Sequence, residues 1–255
     1  MEQPLRRIAR RLLAKTPRMY RAALRLLRRG SVEKHLYLAI VQKGDVVMDI
    51  GANVGYFTML FSDLTGDRGE VHAFEPVPST FSLLAENIHR FPVYKNVYLN
   101  RVALGDKIQT TTMLLPRGDH GQASLVRHSD GSWKDGEHKI ASIEIEMTRL
   151  DQYAQPLGRI DFVKCDVEGA ELLVLRGAQS TLRRCRPKIF LEIDERWVHS
   201  FGWTKTDVLR YLREIGYSCF YGVDSRLTPL SEDTLRTGAV LCSWEELCGL
   251  AQRDF

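Results

Sequence analysis

Val46-Val-Met-Asp-Ile-Gly-Ala-Asn-Val-Gly-Tyr-Phe-Thr58 decides the fold of this chain. A short apolar run ends at Ile50, a turn with two glycines follows, and an apolar segment with helical spacing comes after it. A strand, a tight glycine turn and a helix in that order form the first unit of a nucleotide-binding α/β sheet. Gly51 can adopt backbone angles closed to other residues, and Gly55 lets the start of the helix lie close to a ligand.

The spacing of this turn separates two classes of ligand. A dinucleotide site uses G-x-G-x-x-G, whereas this chain has D-x-G-x-x-x-G with Asp49 before the turn. A carboxylate there would repel a diphosphate and attract a cationic ligand such as S-adenosylmethionine (SAM), which carries an ammonium and a sulfonium. Glu75 ends the next apolar run, where either class places the acid that binds ribose. We therefore predict a nucleoside cofactor and favour SAM.

Apolar runs and helical segments alternate along the rest of the chain. We predict strands at 46–50, 70–75, 97–102, 160–165, 188–193, 217–223 and 238–244, and helices at 55–64, 78–90, 169–182 and 204–215. The alternation predicts an α/β fold, a doubly wound and mostly parallel sheet of seven strands with the last antiparallel. Residues 110–115 and 140–148 break the rhythm, which predicts a hairpin-like insertion around the loop 116–139.

Composition sets limits on the class of protein. With 255 residues, 44% hydrophobic and 27% charged, the chain is typical of a globular protein. Its five scattered cysteines include no C-x-x-C pair, which favours reduced thiols in a cytoplasmic setting over disulfides or a zinc site. No apolar run approaches the roughly 20 residues that a membrane span requires.

The basic charge is concentrated at the N-terminus. Residues 1–30 hold ten Lys/Arg and one acid, and we predict a basic amphipathic helical extension over 1–42 before one domain over 43–255. The extension would pack on the domain or on a homodimer mate, or it would contact an anionic membrane surface through residues 5–29; an arginine-rich start is also typical of a transit peptide. Nucleic acid is not expected, because the domain has no basic and aromatic platform for it.

Carboxylates follow several of the predicted strands. Ligands of open α/β sheets bind beyond the carboxyl ends of the strands, where Asp49, Glu75, Asp166 and Glu192 fall. Asp166 belongs to Lys164-Cys-Asp-Val-Glu-Gly-Ala-Glu171, which has three carboxylates around one glycine. For Glu171, an acidic first turn of a helix is the alternative interpretation.

Six stretches occur together in one order: Val47-Met-Asp-Ile-Gly-Ala-Asn-Val-Gly-Tyr-Phe57, Ala73-Phe-Glu-Pro76, Gln122-Ala-Ser-Leu125, Lys164-Cys-Asp-Val-Glu-Gly-Ala-Glu171, Leu175-Arg-Gly-Ala178 and Pro187-Lys-Ile-Phe-Leu-Glu192. Over about residues 44–225 the chain thereby resembles the FkbM family of SAM-dependent methyltransferases. The resemblance implies a class I methyltransferase (Rossmann-like) fold and methylation of a hydroxyl on a sugar, glycolipid or polyketide-type natural product. It also implies an adenine site at the Ala103-Leu104 turn. The residues that the resemblance implies as contacts to SAM are Asp49, Gly51, Asn53, Gly55, Tyr56, Glu75, Ala103, Leu104 and Asp166.

Methylation of an alcohol calls for a base, because a hydroxyl is a poor nucleophile near neutral pH. The catalytic candidates are Asp166, Glu168 and Glu192, with His120 and His199 as rivals. No ligand spacing compels a metal, and none is predicted, although paired carboxylates could hold a divalent cation. Four aromatic residues are candidate walls for a sugar acceptor or cover for the core: Trp133, Trp197, Phe201 and Trp203.

Two other functions stay open at the level of sequence. A nicotinamide-dependent oxidoreductase would share the strand, turn and helix, but the chain lacks the middle glycine and a Tyr-x-x-x-Lys pair. A non-catalytic nucleoside-binding module recruited to membranes by its basic extension would not need Asp166 and Glu168 together.

Overall fold

The computed structural model describes residues 32–116, 123–127, 140–230 and 238–247. Its helices are α1 Val32–Ile40, α2 Tyr56–Thr65, α3 Pro78–His89, α4 Leu150–Tyr153, α5 Glu171–Arg176, α6 Gln179–Cys185, α7 Glu195–Ser200 and α8 Lys205–Ile215. Its strands are β1 Val46–Ile50, β2 Glu70–Phe74, β3 Val97–Asn100, β4 Ala103–Leu104, β5 Gln109–Pro116, β6 Ile140–Thr148, β7 Phe162–Cys165, β8 Lys188–Ile193, β9 Cys219–Val223, β10 Leu227–Pro229 and β11 Gly238–Ser243.

The large sheet has the order β10-β9-β11-β8-β7-β1-β2-β3. Strands β3, β2, β1, β7 and β8 pair in parallel, and β11 lies antiparallel between β8 and β9. The predicted doubly wound, mostly parallel sheet and its antiparallel last strand are confirmed. The described residues give eight strands where seven were predicted, because the short β10 pairs antiparallel with β9 at the edge. A proline fits that edge position, since it donates no hydrogen bond to a ladder.

The predicted hairpin-like insertion forms a separate sheet with the order β4-β6-β5. β5 and β6 are antiparallel from Gln109 opposite Met147 to Pro116 opposite Ile140. Residue Ser124 bridges to Leu114, so the short stretch 123–127 lies against β5. The remainder of the loop lies outside the described residues. This small sheet stands over the carboxyl ends of the parallel strands.

One predicted helix is two helices in the structure. The segment 169–182 is interrupted at Gly177, between α5 and α6. A Cβ on Gly177 would lie 1.8 Å from the backbone oxygen of Gly105, so the two turns touch because Gly177 has no side chain. Asp151 then accepts hydrogen bonds from the backbone N–H groups of Ser180 and Thr181 at 3.1 and 2.7 Å, which starts α6.

The sheet is buried on both faces, as its apolar runs predict. The helix α1, which the sequence places in the basic extension, packs on one face through its fully buried Leu36 and Tyr37. The Tyr37 ring meets Phe61, Phe162 and Phe190 edge to face, with centroids 5.0 to 5.6 Å apart. Helix α1 therefore covers this face of the sheet. The part of the predicted helical extension that precedes residue 32 lies outside the described residues.

No helix among the described residues has the length and apolar character needed to cross a bilayer.

Candidate cofactor and acceptor site

A pocket of about 570 Å³, continuous with solvent, lies at the carboxyl ends of β1, β2 and β7. The hairpin sheet forms its far wall. It is lined by Gly51, Asn53, Glu75, Pro76, Val77, Met113, Ala123, Asp166, Val167 and Glu168. The fold thus brings together Gly51, Asn53, Glu75, Asp166 and Glu168, which the sequence singled out from three separate segments.

The turn after β1 owes its shape to Gly51. Its φ is +79°, and a Cβ there would lie 1.9 Å from the backbone oxygen of Asp166. Only glycine therefore lets the β1 turn touch the β7 turn. Gly55 has φ +88°, but the space beside it is filled by Leu84 of α3, 2.6 Å from a Cβ position, rather than by the pocket.

Glu75 is held in the pocket by the backbone. Its Oε2 accepts a hydrogen bond from the N–H of Asn53 at 3.1 Å, and its Oε1 accepts one from the N–H of Val77 at 2.9 Å. Burial raises the pKa of Glu75 to about 7, and the two backbone donors oppose that rise. Each carboxylate oxygen keeps a lone pair for a ligand hydroxyl.

Asp49 lies beneath the turn and does not line the pocket. It is fully buried, and its Oδ2 accepts a hydrogen bond from the Thr58 hydroxyl at 2.6 Å. Burial raises its pKa, which Lys164 and Thr58 counteract. Asp49 therefore joins the turn to α2 and to Lys164 from below.

Lys164 is a site residue that the sequence analysis missed. Its side chain is 3% exposed, and its Nζ lies 3.1 Å from Asp166 Oδ2 and 3.9 Å from Asp49 Oδ1. The carboxylates of Asp166 and Asp49 raise the pKa of Lys164 and outweigh the burial that would lower it, so the ammonium stays charged. The available signal was a single lysine inside an apolar run that ends at a carboxylate.

Glu171 organises the turn that carries Asp166 and Glu168. Its Oε1 accepts hydrogen bonds from the backbone N–H groups of Val167 and Gly169, at 3.3 and 3.2 Å. It is fully buried, and burial raises its pKa to about 7. Glu168 takes φ +55° in this turn and lines the pocket. Glu171 supports the turn, in keeping with the structural interpretation that the sequence left open.

The other predicted residues surround the pocket without lining it. Glu192 ends β8 beside Asp166; burial first, and then the charge of Asp166, raises the pKa of Glu192 to about 7. Tyr56 packs on Phe57. Ala103 and Leu104 are buried as the short strand β4.

The rival residues lie away from the pocket or outside the described residues. His199 is exposed on α7, and His120 and Trp133 are not among the described residues. Trp203 donates from its Nε1 to the Gly169 oxygen at 3.3 Å and stacks on Phe201, behind the turn. Within the described ranges, no group of three His, Cys, Asp or Glu side chains is placed to hold a metal ion.

Comparison with known proteins gives one family. The model of the methyltransferase FkbM domain matches residues 49–219. That range contains Gly51, Glu75, Asp166 and Glu192, so the match covers the whole pocket floor.

The relatives of this chain include three methyltransferases. The 31-O-demethyl-FK506 methyltransferase FkbM of Streptomyces tacrolimicus is 30% identical, over 70% of this chain and 74% of that protein. Methyltransferase 1 of Beauveria bassiana is 28% identical, over 51% of this chain and 57% of that protein. The hexuronic acid methyltransferase AglP of Haloferax volcanii is 30% identical, over 58% of this chain and 56% of its own. The alignments with the last two span little more than half of those proteins.

Proposed function

This chain belongs to the FkbM family of methyltransferases, and on that premise we propose that it is an O-methyltransferase. Its fold is that of the class I methyltransferases, and its cofactor is S-adenosyl-L-methionine. The acceptor we propose is a hydroxyl of a sugar, glycolipid or polyketide-type natural product. The names of two relatives support this class, since one refers to an O-demethyl compound and the other to a hexuronic acid.

The residues that line the pocket fit this cofactor. Glu75 presents two oxygens fixed by backbone N–H groups, which suits the two hydroxyls of a ribose. Gly51 and Asn53 form the adjacent wall, and Asp166 faces them as a carboxylate suited to a positively charged ligand. When bound, the cofactor supplies a methyl group that its sulfonium has already activated.

The observation that carries the proposal is that Glu75 and Asp166 line one pocket at the ends of neighbouring strands. A cofactor held at Glu75 leaves the wall formed by Asp166 and Glu168 for the acceptor. Holding an acceptor hydroxyl in line for transfer supplies roughly 7–11 kcal/mol of the barrier. Asp166, as the base that takes the hydroxyl proton, adds about 10²–10⁴-fold.

The hairpin sheet would shape the acceptor side. Met113 and Ala123 line the pocket opposite the strand ends, and the Ser124 hydroxyl donates to the Glu168 backbone oxygen at 3.4 Å. This contact ties the insertion to the catalytic turn. Acceptor choice in such folds depends on loops and insertions of this kind.

The test is transfer from methyl-labelled SAM to fractionated glycolipids, glycans and small molecules of the source cells, with mass spectrometry of the labelled product. We expect one methyl group on a hydroxyl, and we expect Asp166→Asn to lower the rate of transfer by a larger factor than it lowers the affinity for SAM. Label found on protein or nucleic acid, or undiminished transfer by the variant, would contradict the proposal.

A further inference from the structure

Lys164 is buried between two carboxylates that differ in what they face. It lies on β7 directly beside Asp49 of β1 in the parallel register, and Asp166 follows two residues later on the same face of the strand. Asp49 is fully buried and already accepts from Thr58, whereas Asp166 lines the pocket. The ammonium approaches Asp166 more closely, at 3.1 Å against 3.9 Å for Asp49. The shorter ion pair therefore belongs to the pocket carboxylate.

Glu192 is the second acid next to Asp166. Cys165 pairs with Leu191, so the next residues along β7 and β8 bring Asp166 and Glu192 side by side on the face that carries Lys164. Two adjacent carboxylates do not both ionise readily, and such a pair holds one proton between them.

We propose that Lys164 is a positioning residue for the methyl transfer: its ammonium orients Asp166 and keeps the negative charge of the Asp166–Glu192 pair on the carboxylate that lines the pocket. This inference rests on the proposed function in one respect, the role of Asp166 as the base that takes the proton of the acceptor hydroxyl. The arrangement of charge is a property of the protein without acceptor.

The groups around Glu192 favour this distribution of charge. Besides Asp166, Glu33 of α1 adds negative charge, and the Tyr37 hydroxyl of the same helix is neutral. Lys164 opposes these effects but contributes less than burial, Asp166 and Glu33 to the pKa of Glu192, which is raised to about 7. Lys164 lies 3.1 Å from Asp166 Oδ2, and among the described residues no ion pair joins it to Glu192, so the proposal places the shared proton on Glu192, which does not line the pocket. Asp166 therefore has Oδ2 on Lys164 at 3.1 Å and shares a side-chain hydrogen bond with Glu192.

The experiment is carbon-13 NMR of the side-chain carboxyl groups in the full chain, with labelled Asp and Glu, at about pH 6, where a carboxyl of pKa near 7 is mostly protonated. Signals are assigned with Asp166→Asn and Glu192→Gln. In the wild type we expect Glu192 protonated and Asp166 ionised. In Lys164→Met we expect the Asp166 signal to move by more than half of the full protonation shift, and Lys164→Arg to restore it.

Lys164→Met leaves the buried Asp49 and the half-buried Asp166 without their cation and could prevent folding. The double variant Lys164→Met/Asp49→Asn keeps the net charge of the cluster, and the same movement of the Asp166 signal is expected in it. An Asp166 signal that stays at its wild-type position in a folded variant, or a wild-type proton on Asp166, would overturn the inference. Because neither acceptor nor methyl transfer enters the measurement, its failure is distinct from failure of the proposed function.

Discussion

Glu171→Gln tests, through the pH dependence of the free energy of unfolding, whether the Glu171 carboxyl supports the turn that carries Asp166 and Glu168. The pKa of Glu171 is about 7 in the folded protein against an ordinary 4.5, a difference worth about 3 kcal/mol. Since the folded pKa is raised, the protonated carboxyl stabilises the fold fully below about pH 4.5, and this stabilisation is lost as the pH rises through about 7. Gln does not titrate and has the shape of the protonated acid. Its oxygen can still accept from Val167 and Gly169.

The measurement is urea unfolding of both proteins at about pH 5 and about pH 8. Relative to the wild type, Glu171→Gln should gain about 2 to 3 kcal/mol in the free energy of unfolding between the two pH values. Glu75 and Glu192 titrate alike in both proteins, so they cancel in the difference. Glu214→Gln, exposed on α8, is the control and should show no such gain. A constant difference between the Glu171→Gln and wild-type curves would show that Glu171 is not protonated in the fold.

Three further predictions concern the frame of the site. Gly51→Ala should lower the free energy of unfolding by about 3 kcal/mol or more, because the new Cβ meets the backbone oxygen of Asp166. The control Gly44→Ala, at a position with φ +89° and open space, should cost only about 1 kcal/mol. Equal losses in thermal unfolding would contradict the contact. Tyr37→Phe should leave stability unchanged or raise it by up to about 1 kcal/mol, because its buried hydroxyl has no hydrogen-bond partner among the described residues, and a clear loss would refute this. Deletion of residues 1–30 should leave methyl transfer to a water-soluble acceptor unchanged, and a lost kcat in a folded variant would make that segment part of the site.

Much of the fold was predictable because its signals are local. The glycine turn at 51–55 and the alternation in 140–148 each depend on neighbours in sequence, and both elements form where they were predicted. The break at Gly177 depends on Gly105, which is distant in sequence, so helical periodicity could not reveal it. The eighth strand is only three residues long and carries no periodic pattern.

The sequence predicted which residues lie near the site better than it predicted which of them face the pocket. Strand-end carboxylates marked the right edge of the sheet, and Glu75 and Asp166 do line one pocket. Whether a carboxylate faces the pocket or the interior depends on the pleat and on the helix above it. Asp49 is covered by α2 through Thr58 and therefore lies below the turn. Lys164 was not predicted as a site residue because its neighbours in sequence are apolar.

The central claim is that the pocket at the ends of β1, β2 and β7 binds SAM and that Glu75 binds its ribose. Calorimetric titration of SAM into the wild type and Glu75→Gln, at about pH 6 and about pH 8, tests this claim most directly. The carboxylate must be ionised to accept two hydroxyls, so wild-type affinity should rise with pH as Glu75, whose pKa is about 7, loses its proton. Glu75→Gln should bind roughly tenfold to a hundredfold more weakly at the higher pH and show no such rise. Equal affinity of the two folded proteins, with the same dependence on pH, would contradict the account.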